Sequence, residues 1–242
     1  MKKALAFILA AVMVFSLTSC KKELTKEQAL ENYQSFFKKL STDGEQDTQY
    51  DVDMKIDMKM NMNGDEMDAS TTGNIKFKSV GGKIEYYSKI SVDVDEIVMC
   101  YDGEKTYYAI NGEKIEVDEE TFKAEMGQSV DFPEINNEML KSFKAEPDGK
   151  NTKVTFTVDG TKMTDLTESI MGDLADMVND FSSFDVIVVV IMDNKGNCKS
   201  MKMDFDVEMS IEGVKISSKA SFEYIFNKIG SGVEVDLSLL SA

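Results

Sequence analysis

The sequence predicts an α+β fold: one large curved antiparallel β-sheet, a half-open barrel, with helices covering its concave face. Three observations predict it. Residues 50–62, YDVDMKIDMKMNM, alternate apolar and polar without a break, and further alternating runs follow between Asn-Gly, Gly-Gly and Asp-Gly turn signals. Two other stretches, 25–40 and 163–181, carry apolar residues at spacings of three and four, the period of a helix. Strands outnumber helices, the helices are grouped, and a twisted sheet of about ten strands tends to curl.

Residues 50–62 set the scale. Side chains on a strand point to opposite faces with period two, so Tyr50, Val52, Met54, Ile56, Met58, Met60 and Met62 share one face. At about 3.3 Å per residue the run spans roughly 40 Å, against a usual strand of about 5–6 residues. An apolar face of that length needs a cover: helices, a second sheet or a ligand.

The chain begins with an address. Lys2 and Lys3 precede the apolar run ALAFILAAVMVFS, too short for a membrane span, and residues 1–19 read as a secretory signal peptide. Leu17-Thr18-Ser19-Cys20 resembles the bacterial lipobox. That resemblance implies cleavage between Ser19 and Cys20 and a diacylglyceryl group on Cys20. Two acyl chains anchor stably where one binds marginally. Residues 20–24 are then the lipidated Cys and its tether, and 25–242 a single domain. The expected location is the extracytoplasmic face of the cell membrane, lipid-anchored.

Each element follows in order. Thr25-Lys26-Glu27-Gln28 is a capping box, and Leu30, Tyr33, Phe37 and Leu40 give the helix over 25–40 its apolar stripe. Residues 41–48 form a polar loop with Gly44 near the helix C-cap. After the long strand, Asn63-Gly64 turns into a partner over 67–77, and Gly81-Gly82 into an alternating strand from Ile84 to Val94. Strands over 97–101, 106–110 and 114–117 complete a meander. Short helices are expected over 118–126 and from Pro133 through Ile135, Met139, Leu140 and Phe143, and a loop over 146–149. Val154, Phe156 and Val158 form a strand. Met163, Leu166, Ile170, Leu174, Met177 and Phe181 mark the second long helix. The continuous apolar run 186–192 predicts a strand buried on both faces. Alternating strands over 201–211 and 214–226 and a closing strand over 233–239 end the chain.

One internal echo stands out. MKIDMKMNM at 54–62 aligns without gaps to MKMDFDVEM at 201–209. It reads either as an internal duplication or as two amphipathic strands of shared composition. A lipobox, an N-terminal helix, Met-rich strands such as MKIDMKMNM, a Tyr-rich hairpin around 101–110 and a second meander ending in FNKIGSGVEVDL are similar to Gram-positive lipoproteins. Through them the chain resembles the LolA/LolB and LppX/LprG class of lipid-carrying proteins, over roughly residues 23–240, by pattern and order rather than by an invariant motif. The resemblance implies a curved antiparallel sheet whose concave face, plugged by helices, holds acyl chains. The sequence has no Arg and no Trp, so no polar handle of those carriers transfers to a position here.

Composition narrows the chemistry. The chain has 27 basic residues, all Lys, against 44 acidic ones, and a net charge of −17. That argues against nucleic acid and against adhesion to anionic lipid by charge. There is no His, which removes Ser-His-Asp and Cys-His catalysis and His-based zinc sites. The carboxylates alternate with apolar residues, the pattern of a solvated strand face, and neither Asn61–Glu66 nor Asp193–Asn197 fits a calcium loop. Cys100 is expected in a strand and Cys198 in a turn, with no spacing that demands a disulfide.

No cofactor, no metal site and no enzyme activity is expected. The expected function is binding or carrying a hydrophobic ligand, a lipid, lined by Val52, Met54, Ile56, Met58, Met60 and Met62 and by Met201, Met203, Phe205, Val207 and Met209. The alternatives are an envelope protein-interaction module with a filled core and, remotely, Cu(I) binding by the thioethers of Met58, Met60 and Met62.

Overall fold

The computed structural model describes residues 24–40, 47–115, 117, 134–163, 180–211 and 214–241. Ser19 and Cys20, the loop holding Gly44, the helix expected over 118–126 and nearly all of that expected over 163–181 lie outside them. Among the described residues there is one α-helix, α1 (Lys26–Lys38), and eleven strands: β1 (Thr48–Met62), β2 (Asp65–Val80), β3 (Lys83–Val92), β4 (Asp95–Tyr101), β5 (Thr106–Ile110), β6 (Glu113–Lys114), β7 (Leu140–Asp148), β8 (Asn151–Asp159), β9 (Asp180–Met192), β10 (Cys198–Ile211) and β11 (Val214–Ile229).

They form a single antiparallel sheet in the order β6-β5-β4-β3-β2-β1-β11-β10-β9-β8-β7. The first half of the chain fans outward from the middle to one edge, and the second returns from the other edge to the middle. The seam is β1 against β11, paired over their length from Tyr50–Ile229 to Met62–Ile216. The two edge strands differ in how they end the sheet. β6 is only two residues long. β7 carries Pro147, which has no N–H to donate and is tolerated at an edge.

Turn chemistry sets the registers. Asn63 (φ 55°) and Gly64 (φ 97°) both take the left-handed backbone that a two-residue hairpin of matching twist requires, and Asn61 Oδ1 accepts from Gly64 N–H at 3.0 Å. Met62 therefore pairs with Asp65, and every second residue of β1 and β2 faces the same way.

Several expectations change. Leu140 and Phe143 lie in β7, not in a helix opened by Pro133, and Pro147-Asp148 belong to that strand, with the turn confined to Gly149-Lys150. Residue spacing in 135–143 mimics a helix, but Leu140, Phe143 and Ala145 find direct partners in Val158, Phe156 and Val154. Phe181 is in β9, so the second long helix cannot reach it. The run 186–192 is not buried on both faces: Val186, Val188 and Val190 are fully buried, while Ile187 is 42% exposed. Of the described residues in the strand expected over 114–117, only Lys114 is in a strand, as the end of β6. Residues 233–237 are irregular, followed by a 3-10 turn, Ser238–Ser241, rather than a strand. Cys198 starts β10 instead of sitting in the turn before it, and it and Cys100 are free thiols, both buried.

Candidate functional site: the helix-bearing face of the sheet

The register sorts the side chains into rows across the sheet. One row runs Gly73, Met54, Tyr224, Met201, Val190, Val154; the next Thr71, Ile56, Phe222, Met203, Val188, Phe156; the next Ala69, Met58, Ala220, Phe205, Val186, Val158. Cross-strand neighbours point to the same face, so these residues form one continuous apolar surface. The intervening positions, such as Asp51, Asp53, Lys55, Asp57, Asp204 and Lys219, belong to the opposite face. There Asn74 Nδ2 donates to Asp51 and Asp53, each at 2.8 Å, and Asn227 Nδ2 to Asp53 at 2.8 Å. Exposed ion pairs such as Lys55–Asp57 (2.7 Å) and Lys219–Asp206 (2.8 Å) accompany them. The Lys55 ammonium, with help from Ser70, holds the Asp57 carboxyl below its ordinary range. An open depression of about 490 Å³ on this face is lined by charged residues, among them Asp57, Asp185, Asp206 and Lys219.

Helix α1 lies on the apolar face. Its capping box is complete, with Gln28 N–H donating to Thr25 Oγ1 at 3.3 Å and Thr25 N–H to Gln28 Oε1 at 3.2 Å. Its apolar stripe meets three strands of the second half. Tyr33 stands edge-on to Phe156 (5.9 Å between ring centres) and its hydroxyl donates to Met201 Sδ at 3.9 Å. Phe36 and Phe37 pack on Phe226 at 5.1 and 5.9 Å. Burial drives the phenols of Tyr33 and Tyr50 far above their ordinary range, so both stay protonated.

Exposure of the expected lining residues divides in two. Val52 (0%), Met201 (1%), Met203 (2%), Phe205 (3%) and Val207 (8%) are buried. Along β1 burial decays from Val52 through half-buried Met54, Ile56 and Met60, with Met58 at 42% and Met62 at 41%; Met209 is half-buried. Among the described residues the face is thus filled at one end and open toward the β1–β2 hairpin. At the open end small residues separate large ones: Ala220 stands between Met58 and Phe205, and Ser218 between Met60 and Val207.

The structure explains the sequence echo. Met54 and Met201 both pair with Tyr224, Met58 and Phe205 with Ala220, and Met62 and Met209 with Ile216. The gap-free alignment of 54–62 on 201–209 is therefore the register of two strands flanking β11 on the same rows. The two stretches thus share one environment. Many members of the face escaped the sequence reading, Phe156, Phe222, Tyr224 and Met67 among them. Phe156 and Met67 were placed in strands but not on this surface, because only the register shows Phe156 opposite Val188 and Met67 opposite Met60.

Among the described residues no helix is long and apolar enough to cross a membrane, and no group of three or more His, Cys, Asp or Glu is placed to hold a metal ion. No family model and no curated protein matches the chain. Solved structures similar to it include the Mycobacterium tuberculosis lipoprotein LppX, at 9% identity over 88% of this chain and 100% of that one with a TM-score of 0.37. A DUF1329 family protein from Desulfovibrio piger follows at 12% identity, 88% and 98% coverage and a TM-score of 0.30. A putative outer membrane lipoprotein-sorting protein domain from Vibrio parahaemolyticus is similar at 11% identity, 87% and 95% coverage and a TM-score of 0.21.

Proposed function

We propose that this chain is a lipid-anchored extracytoplasmic lipoprotein, held to the cell membrane through Cys20, that binds the acyl part of a lipid on the helix-bearing face of its sheet and catalyses no reaction. In this reading the sheet curves as a half-open barrel and helices cover its concave face. The observation that carries the proposal is the division of that face: packed solid under α1, open and lined by Met58, Met60 and Met62 with Ala220 and Ser218 beside them beyond it. Each methylene buried there contributes about 0.8 kcal/mol. Unbranched thioether side chains adapt to a chain whose length and kinks vary. The opposite face, with its paired charges, stays in water.

The test uses residues 21–242, which contain every described element, purified without detergent. Native mass spectrometry is expected to show a bound lipid, and a fluorescent fatty acid is expected to compete with it. Ala220→Leu fills the gap between Met58 and Phe205 and is expected to weaken probe binding at least about tenfold, the loss of one or two buried methylenes. Absence of both bound lipid and probe binding would overturn the proposal. That result would favour the second reading, an envelope interaction module, for which the near-complete burial of Met201, Met203 and Phe205 already speaks.

A further inference from the structure

Met67 changes the meaning of the open end. On β1 alone, Met58, Met60 and Met62 are about 7 Å apart along the strand. The hairpin register sets Met67 of β2 directly opposite Met60, where paired side chains start only about 4.5–5.5 Å apart. Met58 and Met62 flank that pair on the same face. Met58, Met62 and Met67 are 42%, 41% and 51% exposed, and Met60 is half-buried. These four are neighbours, and the large apolar side chains of β1 and β2 at this end of the face are all methionine, with Ile216 of β11 beside Met62. Elsewhere β1 uses Val52 and Ile56, whose branched side chains suit a strand better.

We propose that the β1–β2 hairpin end binds a soft monovalent metal ion, Cu(I), through the thioethers of Met60 and Met67 and of a flanking Met58 or Met62. Thioethers are soft donors that select Cu(I) over the harder divalent ions. Three rotatable bonds let each sulfur swing toward a common point above Met60 and Met67. Electrostatics favours a cation here. Asp65, opposite Met62, brings a carboxylate to this face. The described residues of β1, β2, β3, β10 and β11 that share it include no Lys, since their lysines alternate onto the opposite face. The net charge of −17 adds a long-range attraction. The copper site uses the same methionines of β1 that line the proposed acyl groove, so the ion and an acyl chain exclude one another there, while copper binding itself does not require the lipid reading to hold.

The experiment titrates the full chain, in detergent micelles and with 13C-labelled methionine methyl groups, with Cu(I) under anaerobic conditions against bicinchoninate as competitor. The expected result is one equivalent held with a dissociation constant below about a micromolar, with the methyl resonances of Met60 and Met67 shifting and that of buried Met192 unmoved. Met60→Leu and Met67→Leu are each expected to weaken binding at least about tenfold with an unchanged urea midpoint, because the swap conserves volume. Unshifted Met60 and Met67 methyls at one equivalent would overturn the proposal. Full retention of affinity in both leucine variants would do the same and would move the copper to the thiols of Cys100 or Cys198.

Discussion

A methyl group on Gly160 would lie 2.5 Å from the ring of Phe184, closer than a real Cβ approaches anything. Gly160 opens the 3-10 turn that leaves β8, and Phe184 is 4% exposed, with no open side to move into. Gly160→Ala is therefore expected to lower stability by about 1–3 kcal/mol, the usual cost of overpacking a core, read as a drop in the urea midpoint at constant slope. Titratable groups in the same core make a second prediction at this scale. Burial, then the charges of Asp236 and Asp102, pushes the Cys100 thiol from its ordinary 9.0 up to about 11. Burial alone lifts the Tyr224 phenol from 10.0 to about 12. Both groups hold a proton more tightly folded than unfolded, so the folded state loses its advantage as the pH rises through these values. The urea midpoint is expected to be level up to about pH 9 and to fall between about 9 and 12; a profile that stays level to pH 11.5 would contradict the burial of these groups.

Helix α1 is the one α-helix among the described residues, and its start and its apolar stripe do different work. The capping box satisfies backbone donors at its start, and the aromatic stripe of Tyr33, Phe36 and Phe37 holds it to β8, β10 and β11. Thr25→Ala leaves the stripe intact and is expected to cost about 1 kcal/mol. Since the helix covers the filled end of the face, the same variant should leave Cu(I) affinity at the hairpin unchanged. Thermal unfolding of the variant checks the first part, and copper competition the second. Both the capping box and the stripe are legible in the sequence, because they depend on residues three and four apart. The strand β7 was not legible, because Leu140 and Phe143 acquire their role only from Val158 and Phe156 in the next strand.

At the scale of the molecule the two halves of the sheet meet along β1 and β11, and the C-terminal segment ties them a second time. Gly230 N–H donates to the Gln49 carbonyl at 2.9 Å, Val233 N–H to Gln49 Oε1 at 3.2 Å, and the Cys100 thiol to the Asp236 carbonyl at 3.5 Å. Val233 is 4% exposed. Removing residues 230–242 is expected to cost about 2–3 kcal/mol, the burial of one valine with its accompanying bonds, while leaving the strand registers intact. A truncated chain with the urea midpoint of the whole one would show that the segment is only draped over the sheet.

The sequence by itself determined the alternation of β1, β10 and β11, the hairpin turns at Asn63-Gly64, Gly81-Gly82 and Asn111-Gly112, and the start of α1. All are local, governed by period, capping and left-handed turn residues within a few positions. It also exposed the match between 54–62 and 201–209 without its meaning. Only the tertiary structure decided that these two stretches flank β11 on the same rows, that 186–192 is covered on one face rather than two, and that Met67 stands opposite Met60. Those facts depend on which strand lies beside which. Strand order depends on the burial of apolar side chains drawn from many strands and from α1, a sum over residues far apart in the chain that no local pattern carries.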